Sequence, residues 1–471
     1  MENNKHQKHH KGEGKNDSNI KLCDLPIDIH HKILSNLPTK EAIGTCVLSK
    51  SWLNKWKGIN VIDLEESDEP NKRQQFVDFV EKLLVACNTS SLKKFSLLFE
   101  VGDETPRLNA WLAVFVNPMI EELSLKLDRV EEPLVLPQHF FTSETLTKFE
   151  LSMQQVISLP PSTISFKNLV TLTLKNVIFP SNYYTARFFL GLPSLKEITL
   201  IDCNWKNAGY IIICCSSLQT VFIREWKDEE EDDENHNNEE EDHDDQNNHG
   251  KIAIYATKLL TFLYDGDMIN DYSLIFTTMV TNATIEVHQH HNKKLCACYF
   301  MFKLFTALCN VAKLSLTYFA VEALGDQIQI LNENLLSFNN LVEFRVVSYS
   351  SITNFSSQGL HIILQHSPIL EEIEFDGGLV LDENGGDDIN PLPACFETHV
   401  KIITIYGFQG SEEELNAIKF LLKIGQVLEI IYIFTYEFDF DYPGGPEKLE
   451  MLYEQMLGFP KASIDCEIAL Q

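Results

Sequence analysis

No stretch of the 471-residue chain approaches 18 consecutive apolar residues, and Tyr210–Cys215 (YIIICC) is far too short to span a bilayer. The opening residues, MENNKHQKHHKGEGKNDSN, hold no apolar segment of the kind that directs secretion. Both absences make a soluble, intracellular protein of the cytoplasm or nucleus the expectation, with no membrane partner. Positive charge is scarce too: 38 Lys and Arg face 68 Asp and Glu, a formal net charge of −30. Nucleic-acid binding draws its affinity from a basic face, and no such face is visible, so a nucleic-acid partner is not expected. Thirteen of the acids lie between Asp228 and Asp245, where Lys and Arg are missing altogether. That run reads as a solvated, disordered insertion, with an attractor for a basic partner as the sharper alternative.

Catalytic signatures are also wanting. The sequence has no phosphate-cradling glycine loop, no nucleophile elbow and no H-E-x-x-H pattern. Its eleven Cys are odd in number and scattered, which suits small core hydrophobes in a reducing compartment better than a disulfide framework. The run HQHHNKKLCAC crowds His288, His290, His291, Cys296 and Cys298 together. Tetrahedral zinc accepts both residue types, but the spacing matches no common finger. A polar loop leading into a helix is expected there, with no metal. No catalytic residue and no cofactor is expected anywhere, and the chain is not read as an enzyme.

What is abundant is apolar content, 44% with 30 Phe, and it is ordered in a repeat. An apolar residue, two others, then apolar–any–apolar recurs as LKKFSL from Leu92, IEELSL from Ile120, LTKFEL from Leu146 and LVTLTL from Leu169. Thirteen loose copies run to LEIIYI from Leu428, with NATIEV from Asn282 as the weakest. Their centres fall at Leu123, Phe149, Leu172, Ile198 and Val221, and later, more widely spaced, at Leu314, Phe344, Ile373, Ile403 and Ile431. A period of roughly 20–30 with this core is the leucine-rich-repeat signature. Alternating apolar residues make a short strand with one buried face, and the intervening chain returns to begin the next parallel strand. Cys298–Val311 and Asp326–Phe338 have the length for return helices on the convex side. The one gross gap, from Val221 to Phe262, holds the acidic run.

Ahead of the repeats, DLPIDIHHKILSNLPTKEAIGTCVLSKSWLNKW (Asp24–Trp56) packs three helix-like patterns into one short stretch. Ile29, Ile33, Leu34 and Leu37 are expected on one helix face, Thr39 as the cap of a second helix, and Ser49 as the cap of a third. Leu48 and Leu53 would staple that third helix, and Trp52 and Trp56 share a face. So much apolar surface exceeds what so short a module encloses, which suggests a partner. A plain helical subdomain packed on the first repeats is the alternative.

This stretch resembles an F-box of the plant form. The resemblance implies docking to the Skp-type adaptor of a cullin-based ubiquitin ligase through Leu25, Pro26, Ile29, Ile33, Leu34, Leu37, Val47, Leu48 and Trp52, with Trp56 packing toward the repeats. Gly44 and Ser51 depart from the family, standing where basic residues are common. At the other end, Pro393–Ile433 and Gly458–Ile468 resemble the FBD domain of plant F-box/FBD/leucine-rich-repeat proteins. There Ser411 and Glu414 form a capping box, Leu415, Ile418 and Leu422 the buried stripe, and Gly425 the helix end.

The expected fold is therefore α/β: a three-helix F-box, then an irregular leucine-rich-repeat solenoid of parallel strands, closed by the FBD region. The expected boundaries are a tail at 1–20, the F-box at 21–60, repeats at 61–390 with the insertion at 228–250, and the FBD region at 391–471. The implied function is substrate recognition in a cullin-type ligase, the repeats binding a target protein; a binding scaffold outside degradation is the alternative.

Overall fold

A computed structural model describes residues 25–67, 69–225, 250–288, 294–327, 337–349, 352–381, 391–435 and 445–471. The N-terminal tail, the acidic run, His290 and His291, and the side chains of Cys296 and Cys298 lie outside the described residues. The chain divides into two units, Met1–Ser96 and Leu97–Gln471.

The larger unit is built on one parallel sheet, in which thirteen described strands follow one another from Glu122–Val130 to Glu467–Leu470. Its register is the sequence repeat made visible. Leu123 pairs with Phe149, Phe149 with Leu172, Leu172 with Ile198 and Ile198 with Val221. Each of these central residues is buried, as are those two positions further along each strand. The weakest copy, NATIEV, is out of frame with its strand. Asn282 is paired with Thr261 and Lys313, so Ala283 holds the central position and the copy begins at Val280. A small residue at the centre had hidden it. The final strand, Glu467–Leu470, pairs with Ile430–Phe434 and lies beyond the last copy read from the sequence.

The chain between strands returns on the covered side. Helices Asn182–Leu190, Lys294–Ala307, Tyr318–Gln327, Gln358–Gln365 and Glu412–Ile424 make five of these returns. Of the expected Asp326–Phe338 helix, Asp326 and Gln327 close Tyr318–Gln327, and residues 328–336 lie outside the described residues. Phenylalanines fill the layer beneath the first strands. Phe140 meets Phe149 and Phe166 edge-on at 5.1 and 5.2 Å, and Phe179 stacks on Trp205 at 4.2 Å. Cys203, the one consensus cysteine read from the repeat, is buried and donates its thiol to the Leu174 carbonyl of the preceding repeat at 3.5 Å.

In the middle of the array the returns are strands. Tyr210–Cys214, Lys251–Tyr255 and Asp271–Ile275 form a second parallel sheet of three. The long gap in the repeat therefore contains one full return strand, Lys251–Tyr255, after the acidic run, not an insertion alone. Runs such as YIIIC and KIAIY are short and rich in β-branched residues, which suits strands, although periodicity alone does not separate them from a buried helix segment.

Where the described chain breaks off at Glu225 and resumes at Gly250, both ends are held. The Glu225 carboxylate is buried and accepts hydrogen bonds from Tyr264 Oη at 3.0 Å, from Asn270 Nδ2 at 2.7 Å and from the Tyr272 hydroxyl. The same Asn270 side chain accepts the Gly250 N–H at 2.8 Å through Oδ1. One amide thus clasps the two ends. Close approach is enforced by Gly266 at φ +149°, where a Cβ would fall 1.9 Å from the Glu225 carbonyl oxygen.

At the C-terminal end the capping box is present. Ser411 Oγ accepts the Glu414 N–H at 3.2 Å, and Glu414 Oε2 accepts the Ser411 N–H at 2.9 Å. Leu415, Ile418 and Leu422 are buried. Gly425 ends the helix in an extended conformation, φ −76°, so the left-handed freedom of glycine is used at Gly407 and Gly410 instead.

Two expectations follow from the clasp. Removing residues 228–248 leaves Trp226, Lys227 and His249 to join ends that bond to the same side chain, a reach of about 14 Å at full extension. The shortened chain should melt at the same temperature or slightly higher; a fall of more than about 5 °C in calorimetry would show that the run supports the repeats. Burial raises the Glu225 carboxyl above its ordinary range despite its three donors. The folded state therefore holds that proton more tightly than the unfolded state. Stability from this group is greatest below about pH 4.3 and is lost as pH rises toward the folded value. Glu225→Gln removes the slope, so the variant should gain on the wild type between pH 4 and 7 by about 1.4 kcal/mol for each tenfold preference for the proton. Parallel stability–pH curves in urea titrations would refute the assignment.

Candidate docking surfaces

The smaller unit starts with helix Ile27–Leu34, which begins after Pro26 because proline fixes φ and needs no donor. Pro38 starts the second helix, Thr39–Gly44, in the same way. Thr39 is its first residue, not its cap: the hydroxyl is buried and accepts the Asp63 N–H at 2.7 Å, tying the helix to strand Val61–Glu65. No helix is capped by Ser49. Residues 50–54 are turns, and a single 3₁₀ turn, Lys55–Gly58, takes the place of the third helix.

The buried side of the first helix is His30 and Leu34, one turn apart, with Ile33 half-buried and Ile29 and Leu37 exposed. The expected apolar face is thus turned outward by about one residue, because a histidine fills the core. Its ring stands edge-on to Trp52 at 5.0 Å. Lys55 Nζ lies 2.6 Å from His30 Nε2 and 5.0 Å over the Trp52 ring. An ammonium only donates, so Nε2 accepts; the ring proton sits on Nδ1 and is donated to the Pro26 carbonyl at 3.0 Å. Ala42, Trp56 and Ile59 complete the core, and the Trp56 indole donates to the Leu53 carbonyl at 3.2 Å.

The nine anchors named from the sequence therefore separate into two groups. Leu34 and Trp52 are buried inside the module, with Leu25 and Ile33 half-buried. Pro26, Ile29, Leu37, Val47 and Leu48 are exposed, Val47 by 83% and Leu48 by 64%. Ile27 and Leu53 are exposed as well and were not named. Leu53 was assigned to a staple with Leu48 that would have covered it. Six large apolar side chains between Ile27 and Leu53 stay uncovered, an arrangement that costs solubility unless it is half of an interface.

The second surface is the open face of the large sheet, where alternate strand residues point away from the core. In its C-terminal half five strands, Asn282–Val287, Lys313–Thr317, Glu343–Val347, Glu372–Phe375 and Ile402–Tyr406, line a groove of about 290 Å³. Lys313 pairs with Glu343 at 2.6 Å, and Arg345 bridges Glu374 at 3.2 Å and Asp376 at 2.6 Å. Beside them, Tyr406 and Phe434 stack at 4.8 Å. Further along, Asp265, Glu286 and His288 bring three ligand-type atoms within 4.8 Å of one another. Each is already engaged. Arg224 Nε donates to Asp265 Oδ2 at 2.7 Å, His288 Nε2 lies 2.9 Å from Asp265 Oδ1, and Tyr349 donates to Glu286 at 2.6 Å. His288 is the residue of the sequence-flagged His/Cys group that belongs to this network.

Burial pushes the thiols of Cys203, Cys215 and Cys395 up to about 12, which keeps them protonated. Among the described residues no helix is long and apolar enough to cross a membrane.

Comparison with known families matches three regions. An F-box domain model matches residues 22–63, a model described as FBD-associated F-box protein At5g56370, LRR repeats matches 108–241, and an FBD model matches 390–433. Among curated relatives, F-box/LRR-repeat protein At3g58930 of Arabidopsis thaliana is 26% identical over 92% of this chain and 94% of its own length. F-box protein At3g59000 of the same plant is 26% identical over 93% and 90%. F-box protein At3g03040, also from that plant, is 25% identical over 88% and 89%.

The burial pattern predicts opposite effects for two kinds of substitution in the module. Leu34→Ala should cost about 2–5 kcal/mol in the denaturant unfolding of the smaller unit, through the cavity it leaves. Val47→Asp and Leu48→Asp should each stay within about 0.5 kcal/mol of wild type. A Val47→Asp loss as large as that of Leu34→Ala would show that Val47 belongs to the core.

Proposed function

We propose, from its F-box, leucine-rich-repeat and FBD regions, that the chain is the substrate-recognition subunit of a cullin-type ubiquitin ligase in the cytoplasm or nucleus. The observation that carries this reading is the uncovered apolar set on the F-box: Ile29, Leu37, Val47 and Leu48, with Ile27 and Leu53 beside them. It supports a docking face for a Skp-type adaptor and, through it, a cullin. Pro26, Leu25 and Ile33 border that face, while Leu34 and Trp52 act through the core that shapes it.

The chain itself makes and breaks no bond in this reading. It holds a target protein on the repeat array while the F-box holds the ligase, so target lysines meet the charged conjugating enzyme at raised effective concentration.

Co-purification of the full chain with a Skp-type adaptor tests the proposal. Wild type should retain the adaptor, and Val47→Asp/Leu48→Asp should lose at least tenfold in affinity while melting normally, since central apolar anchors carry most of an interface's energy. Failure of the folded wild type to retain any Skp-type adaptor would overturn the proposal in favour of a repeat scaffold acting outside degradation.

A further inference from the structure

The open face of the sheet changes character along the array. On its first strands, Lys126, Lys148 and Lys175 share the sheet with Glu122, Glu150 and Glu197, and the positions between are largely Ser and Thr. In the C-terminal groove the balance fails. Glu343 is matched by Lys313, but Arg345 must serve both Glu374 and Asp376. Glu372, exposed on the same strand as Glu374, has no ion-pair partner among the described residues. The strand register places Glu372 against Glu343 on one side and Ile402 on the other, and Glu374 between Arg345 and Thr404. Burial, with Asp376, Glu343 and Glu372 nearby, raises the Glu374 carboxyl above its ordinary range in spite of Arg345. The groove is short of positive charge.

Next to that charge lies a flat apolar wall. Tyr406 is on the strand of Ile402 and Thr404 and points the same way, and its ring stacks on Phe434 at 4.8 Å and 13°. Tyr432 lies 6.4 Å from Phe434 in the same stack. Carboxylates beside the faces of aromatic rings are the surroundings a guanidinium or ammonium finds most favourable, through charge-assisted hydrogen bonds and cation–π attraction together.

We propose that this groove is the target-reading site of the array, and that its occupant is an extended basic segment of the target protein. An arginine or lysine side chain of that segment enters beside Glu372 and Glu374, and an apolar neighbour lies on Tyr406 and Phe434. The inference rests on the receptor reading above for the occupant being a ligase target; the chemistry of the groove stands without it. Anionic partners are disfavoured by the same carboxylates, and the sequence as a whole, at −30, steers basic segments toward the chain.

A random-peptide library panned on the purified full chain, without adaptor, tests this directly. Selected peptides should be enriched in Arg or Lys next to an apolar or aromatic residue. One selected peptide, labelled and titrated by fluorescence anisotropy, should bind Glu372→Lys/Glu374→Lys at least tenfold more weakly than wild type. Glu397→Lys/Glu454→Lys, which changes the net charge equally on exposed helix positions away from the groove, should stay within about twofold. The isosteric Glu372→Gln/Glu374→Gln should also weaken binding, which removes misfolding as the cause. Neutral or acidic selected peptides, or equal losses in the groove and control variants, would overturn the proposal. Adaptor retention plays no part in this assay, so its failure and failure of the ligase reading are separate results.

Discussion

Everything in the larger unit depends on the fact that a short strand with one apolar face cannot cover that face alone. Each strand here is paired by parallel copies, and the central residues from Leu123 onward form one buried row across the sheet. Removing water from that row is the dominant gain, at about 25 cal/mol per Å² of apolar surface, and it comes only when neighbours are present. The long helix-and-strand returns, the phenylalanine layer and the thiol of Cys203 all serve the same stacking. Even the capping box at Ser411 acts in this way, since it fixes the entry of the helix that covers one of the last repeats.

The smaller unit solves the opposite problem. It has too few residues to bury what it carries, and it keeps its two tryptophans, Trp52 and Trp56, for its own core. His30 is the unexpected member. Between Lys55 and the Pro26 carbonyl its two ring nitrogens are both used, which allows an aromatic heterocycle to be fully buried in a module this small. What is left outside, Val47 and Leu48 above all, is then a surface rather than an unfinished core.

Much of this was legible in the residues. The repeat period located the strands of the long sheet from apolar alternation alone, and Ser411–Glu414 gave the helix start in the FBD region. Misreadings arose where side-chain chemistry outweighed pattern. Ala283 was too small to mark its strand, Thr39 went to strand Val61–Glu65 instead of capping its helix, and His30 displaced the expected isoleucine face. The return strands Tyr210–Cys214, Lys251–Tyr255 and Asp271–Ile275 were missed because a short apolar run looks alike in a strand and a buried helix. The groove could not be found from sequence at all. Its residues come from successive repeats far apart in the chain, and only register brings Glu343, Glu372 and Ile402 side by side.

The clasp at Asn270 has a consequence for how such a protein can change over generations. Because Glu225 and Gly250 are bound to one side chain, the energy of the repeats does not register how much chain lies between them. Closing a loop twice as long costs only about 0.6 kcal/mol, less than a typical single substitution in the core. Insertions, deletions and drift in charge can accumulate at this point almost unopposed by folding, while one residue gained or lost within a neighbouring strand would turn its buried side chains to the solvent. At this point of the array length is nearly free, while in the strands beside it length is fixed.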